Sequence, residues 1–256
     1  ILLVIRIGTF LLDEVSGWWG GLFFALLPLN VYYGRAFQAE SLLICLSAFS
    51  IERLIVWKKK SSKSSIFLSW ISFCLACLIK LLPMIWLGFP LILIQLHNKQ
   101  INESIPLKKL LKRFLDYLRK PGPWIFSLTA IVVVFIWYRY AFLLGQISGL
   151  SFLTWEDNSD RIRLDMLFDF GVWLNLFLRI SLRNLGLLGL PLLILGFWDG
   201  YKSSLTMILF SGLFGVFICT IFFMGSSAIH EYYQLPLQIF LCPLMGRGWK
   251  SFKDFT

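Results

Sequence analysis

Residues 66–96 read IFLSWISFCLACLIKLLPMIWLGFPLILIQL, an apolar run in which Lys80 is the one charged side chain. Basic clusters flank this run, at residues 58–63 on one side and 97–120 on the other. Basic loops of membrane proteins stay on the cytoplasmic side, so the chain must cross an even number of times between them. We therefore expect a helical hairpin that turns near Lys80-Leu81-Leu82-Pro83 rather than one long helix.

The composition of the whole chain indicates a polytopic membrane protein. Of its 256 residues, 58% are hydrophobic and only 15% are charged, and the mean hydropathy is +0.76. A soluble domain carries about 25% charged residues. Because about 20 apolar residues cross a bilayer, we predict an all-α transmembrane bundle over residues 1–256, a single domain without internal boundary. Its nine apolar segments are predicted at 1–12, 17–33, 41–57, 66–79, 81–96, 124–142, 184–198, 205–224 and 235–246.

The formal net charge of +10 is not read as a nucleic-acid signal. The basic residues stand beside apolar segments, where they set orientation and meet anionic membrane lipids. In the cytoplasmic segment 98–121, leucines and lysines alternate at helical spacing, which predicts an amphipathic helix on the inner surface. We expect no nucleic-acid partner.

Propagating the hairpin along the chain divides it between two membrane faces. The tail from residue 246 contains Arg247, Lys250 and Lys253, was not used in this assignment, and falls on the inner face. The inner face also receives Asp13-Glu14, the two basic clusters and residues 199–204. The outer face receives residues 34–40, the turn at Lys80, the loop 143–183 and residues 225–234. The second half of the loop 143–183 is predicted to be an amphipathic helix on the outer surface.

Three separate outer segments carry the candidate site residues. We single out Arg35 and Glu40 in the first, Lys80 in the second, and the His230-Glu231-Tyr232-Tyr233 stretch in the third. Structural alternatives stay open for each: an interfacial ion pair, a cation that keeps the hairpin from sinking, and an aromatic belt. One histidine and one glutamate are at most half a metal site, and His97 falls on the inner face. We therefore assign no cofactor, and a divalent metal stays an open alternative that the ligand count does not support.

Taken together, these motifs resemble a known family. The elements Leu27-Pro28 through Arg35 and Glu40, the turn Ile79-Lys80-Leu81-Leu82-Pro83, and His230-Glu231-Tyr232-Tyr233-Gln234-Leu235-Pro236 look like those of the GT-C fold glycosyltransferases that use polyprenyl-phosphate sugars. These are the relatives of the protein O-mannosyltransferases and the lipid A aminoarabinose transferases. The resemblance implies a multi-pass protein of the bacterial plasma membrane, with its active site facing the periplasm or exterior.

The resemblance also implies roles for the candidate residues. Arg35 and Lys80 would hold the lipid phosphate of the donor, while His230, Tyr232 and Tyr233 would shape the donor pocket. The family places its principal acidic residue in the first outer loop, which would precede Ile1, so we expect the chain to lack the N-terminal part of the family. Glu40 matches the second acidic position and is assigned as an assisting carboxylate.

A transporter or flippase that moves a lipid or solute is the competing hypothesis. Transporters place charges and broken helices near the bilayer midplane and often contain an internal repeat. The candidate residues here stand at predicted helix ends, and the sequence has no repeat at a fixed period. The pattern therefore favours the enzyme.

Overall fold

The structure is a computed structural model, and it describes residues 1–36, 38–97, 107–149, 163–201, 203 and 205–255. Every regular element in these ranges is helical, so the predicted all-α class is confirmed. A π-helical turn covers Ile180–Asn184, and 3-10 turns cover Leu164–Phe168 and Glu231–Gln234. The α-helices are α1 (Leu2–Leu11), α2 (Glu14–Leu26), α3 (Pro28–Arg35), α4 (Glu40–Lys60), α5 (Lys63–Ile79), α6 (Pro83–Trp86), α7 (Gly88–Leu96), α8 (Leu107–Leu118), α9 (Pro121–Ser148), α10 (Phe170–Arg179), α11 (Gly189–Gly200), α12 (Thr206–Phe222), α13 (Met224–Ile229) and α14 (Leu237–Phe255).

Two of the predicted apolar segments are interrupted helices. The segment 17–33 breaks at Leu27, whose backbone is extended, and restarts at Pro28, because the residue before a proline is pushed out of the helical region. The segment 81–96 breaks between α6 and α7.

Other boundaries also move. The segment 184–198 begins as a regular helix only at Gly189, after a turn in which Gly186 has a φ of +68°. α8 lies within the basic segment 98–121, where an amphipathic helix was predicted. In the predicted outer loop 143–183, α9 continues to Ser148 and α10 occupies the second half, while residues 150–162 lie outside the described residues.

The predicted hairpin at Lys80 is present, as the contacts at the two ends of α4 show. At the start of α4, Glu40 pairs with Lys80, which directly follows α5. Near the end of α4, Lys58 donates a hydrogen bond to the carbonyl of Gln95 in α7 at 2.6 Å. The chain therefore travels up α5, turns at Lys80 and returns through α6 and α7. We call the end of the bundle that holds Glu40, Lys80 and Tyr232 the Lys80 end.

The opposite end of the bundle is held by a charged cluster. Arg247 in α14 contacts Asp13, which caps α2, at 3.3 Å, and it also pairs with Asp199 in α11. Lys250 lies 3.3 Å from the same Asp13 carboxylate. We call this the Arg247 end. The inner-face residues predicted from the sequence, Asp13, Asp199 and Arg247, thus lie together, away from Glu40 and Lys80.

Electrostatics at the Arg247 end favour the ionised carboxylates. The hydrogen bond from Arg247, reinforced by one from Ser251, lowers the pKa of Asp199 against the cost of partial burial. Partial burial acts to raise the pKa of Asp13, but hydrogen bonds from Ser16 and the charge of Lys250 outweigh it, so that this pKa is lowered as well. Both ion pairs are therefore formed at neutral pH.

The described helices differ in whether they are long and apolar enough to cross a membrane. Within them, α9 is the one helix that is long and apolar enough to cross a membrane alone. The segment Phe170–Asn184 and α11 would qualify together, but a bend of 93° separates them. The other apolar helices, such as α5 and α12, have 10–17 residues, and α4 carries Glu52, Arg53 and a terminal lysine run. The predicted bundle of nine spans is therefore not established by helix length.

A buried carboxylate lies inside α4. Glu52 has no exposed side-chain surface, and its carboxylate contacts the Arg6 guanidinium of α1 at 2.6 Å. The neighbouring Arg53 donates to the same carboxylate through Nη2 at 2.7 Å. Two guanidinium groups thus compensate one buried charge, which would otherwise be strongly unfavourable. Glu52 was not among the residues predicted from the sequence.

Glycines allow α14 to pack closely between α2 and α11. A Cβ atom on Gly246 would overlap the carbonyl oxygen of Ser16 in α2, and one on Gly248 would overlap that of Leu192 in α11. Gly20 meets α14 in the same way, with Pro243 Cα 2.9 Å from its ideal Cβ position. Since the opposing atoms belong to the backbone, they cannot rotate away, and each contact requires glycine.

We predict that Gly248→Ala destabilises the bundle by about 1–3 kcal/mol, the usual cost of overpacking. Gly88→Ala is the matched control, because a Cβ there meets nothing within 4 Å. The measurement is thermal unfolding of the purified protein in detergent. Equal melting temperatures for the two variants would contradict the close packing of α14.

Candidate functional site

An ion pair between Glu40 and Lys80 forms the centre of the candidate site. Glu40 is the first residue of α4, where the helix dipole favours a negative charge, and its side chain is 9% exposed. Lys80 follows the last residue of α5 and is 28% exposed. Because α4 and α5 run antiparallel, residues forty positions apart in the chain meet here. The pair is largely shielded from water, which strengthens the attraction between the two groups.

Aromatic rings cover the lysine. The Lys80 ammonium lies 4.3 Å from the ring centre of Tyr232 and 5.2 Å from that of Tyr233. The two tyrosine rings are stacked with 5.0 Å between centres, and the His230 ring stacks on Tyr232 at the same distance. Tyr33 from α3 approaches Tyr232 edge-on at 6.3 Å. The 3-10 turn thus places a face of π-systems on a cation, a favourable electrostatic arrangement.

A narrow cleft runs from this ion pair into the bundle. Its volume is about 20 Å³, enough for about one water molecule. Glu40, Lys80, Tyr232 and Tyr233 line its mouth, and apolar side chains such as Trp86 line its depth. Ser227 also lines the cleft. Its hydroxyl is buried and has no hydrogen-bond partner among the residues that the structure describes, so it is available to a small polar group.

A wider groove lies on the other side of Tyr232. Its volume is about 640 Å³, and Tyr232 belongs to the walls of both cavities. The groove is lined by Pro28, Leu29, Tyr32, Tyr33, Gln38, Arg183, Ile229, His230, Glu231 and Tyr232. Aromatic and charged side chains therefore line the same space, which is large enough for a small ligand.

Two arginines that the sequence analysis did not select belong to this site. Arg183 lines the groove and pairs with Glu231. Arg179 donates to the carbonyl oxygens of Ser227 and Ala228, at 3.2 and 2.8 Å, and so fixes the segment before His230. Arg179 is the last residue of α10, and Arg183 lies in the π-helical turn that follows it. Their spacing of four residues places them on one side of a helix. That spacing is the signal by which they could have been found.

Most of the site residues predicted from the sequence lie close together. The structure brings Glu40, Lys80, Tyr232 and Tyr233 to the cleft, and His230 to the groove beside it. Arg35 does not join them: it is exposed in the last turn of α3 and lines neither cavity. α3 buries Leu29 and Tyr33 instead, which turns Arg35 outward.

A network of buried side-chain amides holds the 3-10 turn Glu231–Gln234 in place. Gln238 in α14 donates to both the main-chain and the side-chain oxygen of Asn184 at 2.8 Å, and Asn184 donates to Gln234 at 3.1 Å. The three side chains are almost completely buried. Buried amides that bond one another have one favourable arrangement, so the network fixes the 3-10 turn relative to the π-helical turn.

The described residues contain no group of three or more histidine, cysteine or acidic side chains that could hold a metal ion. His97 ends α7 at the opposite end of the bundle from His230.

Comparison with known proteins finds no matching family model, curated protein or solved structure.

The arrangement offers a shielded carboxylate, an ammonium group and stacked aromatic faces at the junction of two cavities. An anionic ligand can compete with Glu40 for the Lys80 ammonium, which is a compact charge with three donors. The carboxylate would then be available to accept a proton from a hydroxyl group. Tyrosine rings provide a flat apolar surface together with a hydroxyl.

We predict that Lys80→Met destabilises the protein by about 2 kcal/mol, because it leaves the Glu40 carboxylate shielded and unpaired. The double variant Lys80→Met/Glu40→Gln should recover part of this loss, since it removes both charges. Thermal or denaturant unfolding of the single and double variants measures the coupling. Strictly additive effects would contradict a coupled ion pair.

Proposed function

We propose that the chain is a polytopic membrane glycosyltransferase that transfers a sugar from a polyprenyl-phosphate donor to an acceptor on the non-cytoplasmic face. The observation that supports this most is the Glu40–Lys80 pair under Tyr232 and Tyr233, between a narrow cleft and a wide groove. A transferase of this class needs a cation for the leaving phosphate, a carboxylate for the acceptor and an aromatic surface for the sugar. All three are adjacent here.

The proposed membrane placement is supported by the exposed surface of α9. This helix has 28 residues, and Ile125, Phe135, Ile136 and Ile147 are among its many exposed apolar side chains. A helix that is apolar on every side belongs in a protein core or in lipid, and α9 is mostly not covered by protein. The shorter helices would cross together with their breaks, tilted or with local thinning of the bilayer.

In the proposed reaction, the donor phosphate enters through the groove and competes with Glu40 for the Lys80 ammonium. The acceptor hydroxyl attacks the anomeric carbon, and its proton passes to Glu40 as an assisting carboxylate. The bond between this carbon and the phosphate oxygen breaks, and the polyprenyl phosphate leaves with the electron pair. Lys80 stabilises the negative charge that develops on the phosphate, while His230 and the tyrosines hold the sugar.

We predict that the Lys80 end faces the outside of the cell. In a Cys45→Ser background, which removes the exposed native thiol, Gln38→Cys should react with a membrane-impermeant maleimide in intact cells. Lys60→Cys, at the exposed last residue of α4, should react only after permeabilisation. The reverse pattern would overturn the two-sided arrangement.

We predict that Glu40→Gln lowers sugar transfer by roughly 100-fold, the lower range for loss of a general base. His230→Ala should also lower transfer, with a larger effect on KM, because it removes a groove wall. The assay is release of polyprenyl phosphate from a labelled donor by the protein in lipid nanodiscs. Glu14→Gln, an exposed carboxylate at the Arg247 end, is the matched control. Unchanged turnover in both site variants would exclude the assignment.

A transporter or flippase remains the second candidate, because two features are typical of transporters. The chain bends by 93° between Phe170–Asn184 and α11, and α4 buries the Glu52 carboxylate, which pairs with the half-exposed Arg6 of α1. Reconstituted liposomes distinguish the two classes. Translocation of labelled polyprenyl phosphate sugar without its cleavage would favour the flippase over the enzyme.

A further inference from the structure

A second cavity, of about 540 Å³, lies at the end of the bundle opposite to the Glu40–Lys80 pair. It is bordered by the last turns of α4 and α7 and by the junction between α8 and α9. This cavity shares no lining residue with the cleft or the groove. Its volume is within the range of sites for small ligands, about 300–1,000 Å³.

Cations dominate the polar side of this cavity. Lys58, Arg113 and Lys120 line it, and the hydrogen bond to the Gln95 carbonyl holds the Lys58 ammonium at the wall. Asp116 is the one carboxylate among the lining residues that the structure describes. It is exposed and lies 3.8 Å from Arg119, a distance at which pairing is weak. The cavity therefore carries an excess of positive charge that suits an anion.

The first turn of α9 adds to this potential. Pro121, Gly122 and Pro123 line the same cavity, and no side chain caps this helix end. The start of a long helix carries a partial positive charge, which reinforces the field of the neighbouring lysine and arginine side chains.

The other side of the cavity is apolar. Trp57, Ile66 and Leu96 form this wall, and the exposed side chains of Trp124 and Ile125 continue it along α9. A free phosphate would use only the cationic side. A phospholipid uses both, because its headgroup is charged and its acyl chains would follow the apolar surface of α9.

We propose that this cavity binds the headgroup of an anionic phospholipid from the membrane leaflet opposite to the transfer site. The phosphodiester lies among Lys58, Arg113 and Lys120, and Trp57 and Tyr117 border the glycerol region. The proposal rests on the proposed membrane placement and not on sugar transfer. It differs from a diffuse attraction of basic loops to the membrane, because it concerns one bound lipid in one cavity.

Titration of the detergent-purified protein with phosphatidylglycerol, followed by native mass spectrometry, tests this proposal. Loss of a hydrogen bond to a charged phosphate weakens binding about tenfold, so Arg113→Gln/Lys120→Gln should weaken the first binding event roughly 100-fold. Lys112→Gln/Arg119→Gln is the matched control, because it removes the same charge from exposed positions that do not line the cavity. We expect less than a twofold effect there.

Three outcomes would overturn the proposal. Equal weakening in both double variants would indicate a diffuse basic surface. Equal affinity for phosphatidylcholine would exclude recognition of an anionic headgroup. Displacement of the lipid by glycerol phosphate at a similar concentration would indicate a site for a soluble phosphate. Lipid binding without sugar transfer would contradict the proposed enzyme and leave this site standing, so the two hypotheses fail separately.

Discussion

The Glu40–Lys80 ion pair is the constraint on which the Lys80 end of the bundle depends. It joins the start of α4 to the end of the antiparallel helix α5, and it sets the position at which Tyr232 and Tyr233 can cover the ammonium. A charge shielded from water is unfavourable unless a partner and additional dipoles compensate it. The tyrosine faces and the start of α4 supply these dipoles. The proposed chemistry uses the same property, because an anionic substrate can exchange with the carboxylate without exposing Lys80 to hydrocarbon.

Much of this arrangement could be predicted from the positions of charges. Lys80 interrupts a long apolar run, and the basic clusters on both sides of that run required a hairpin, which the structure contains. The same argument placed Arg247 on one face with Asp13 and Asp199, and the three residues do lie together at one end of the bundle. Charges are informative because each must lie at an end of the bundle or meet a partner.

The breaks within helices could be predicted less well. Pro28 was visible in the sequence and accounts for the extended backbone of Leu27, but the buried cluster that Leu27 forms with Leu185 and residues of α14 was not. Likewise, the assignment of successive loops to alternating membrane faces placed Arg35 at the Lys80 end of the bundle. It did not predict that the Arg35 side chain lies outside both cavities. In the short helix α3, burial of Leu29 and Tyr33 decides the rotation. The four-residue spacing of Arg179 and Arg183 was visible in the sequence, but the bend of 93° between their segment and α11 was not, because no local pattern specifies such a bend.

The buried carboxylate of Glu52 has a consequence for the order in which the protein is assembled. Its partner Arg6 belongs to α1, which is synthesised before α4. In the proposed membrane setting, the counter-ion is therefore already present when α4 leaves the ribosome, and Arg53 follows within the same helix. Insertion of α4 is then coupled to the presence of α1, so a chain without its first helix would retain α4 poorly in the bilayer.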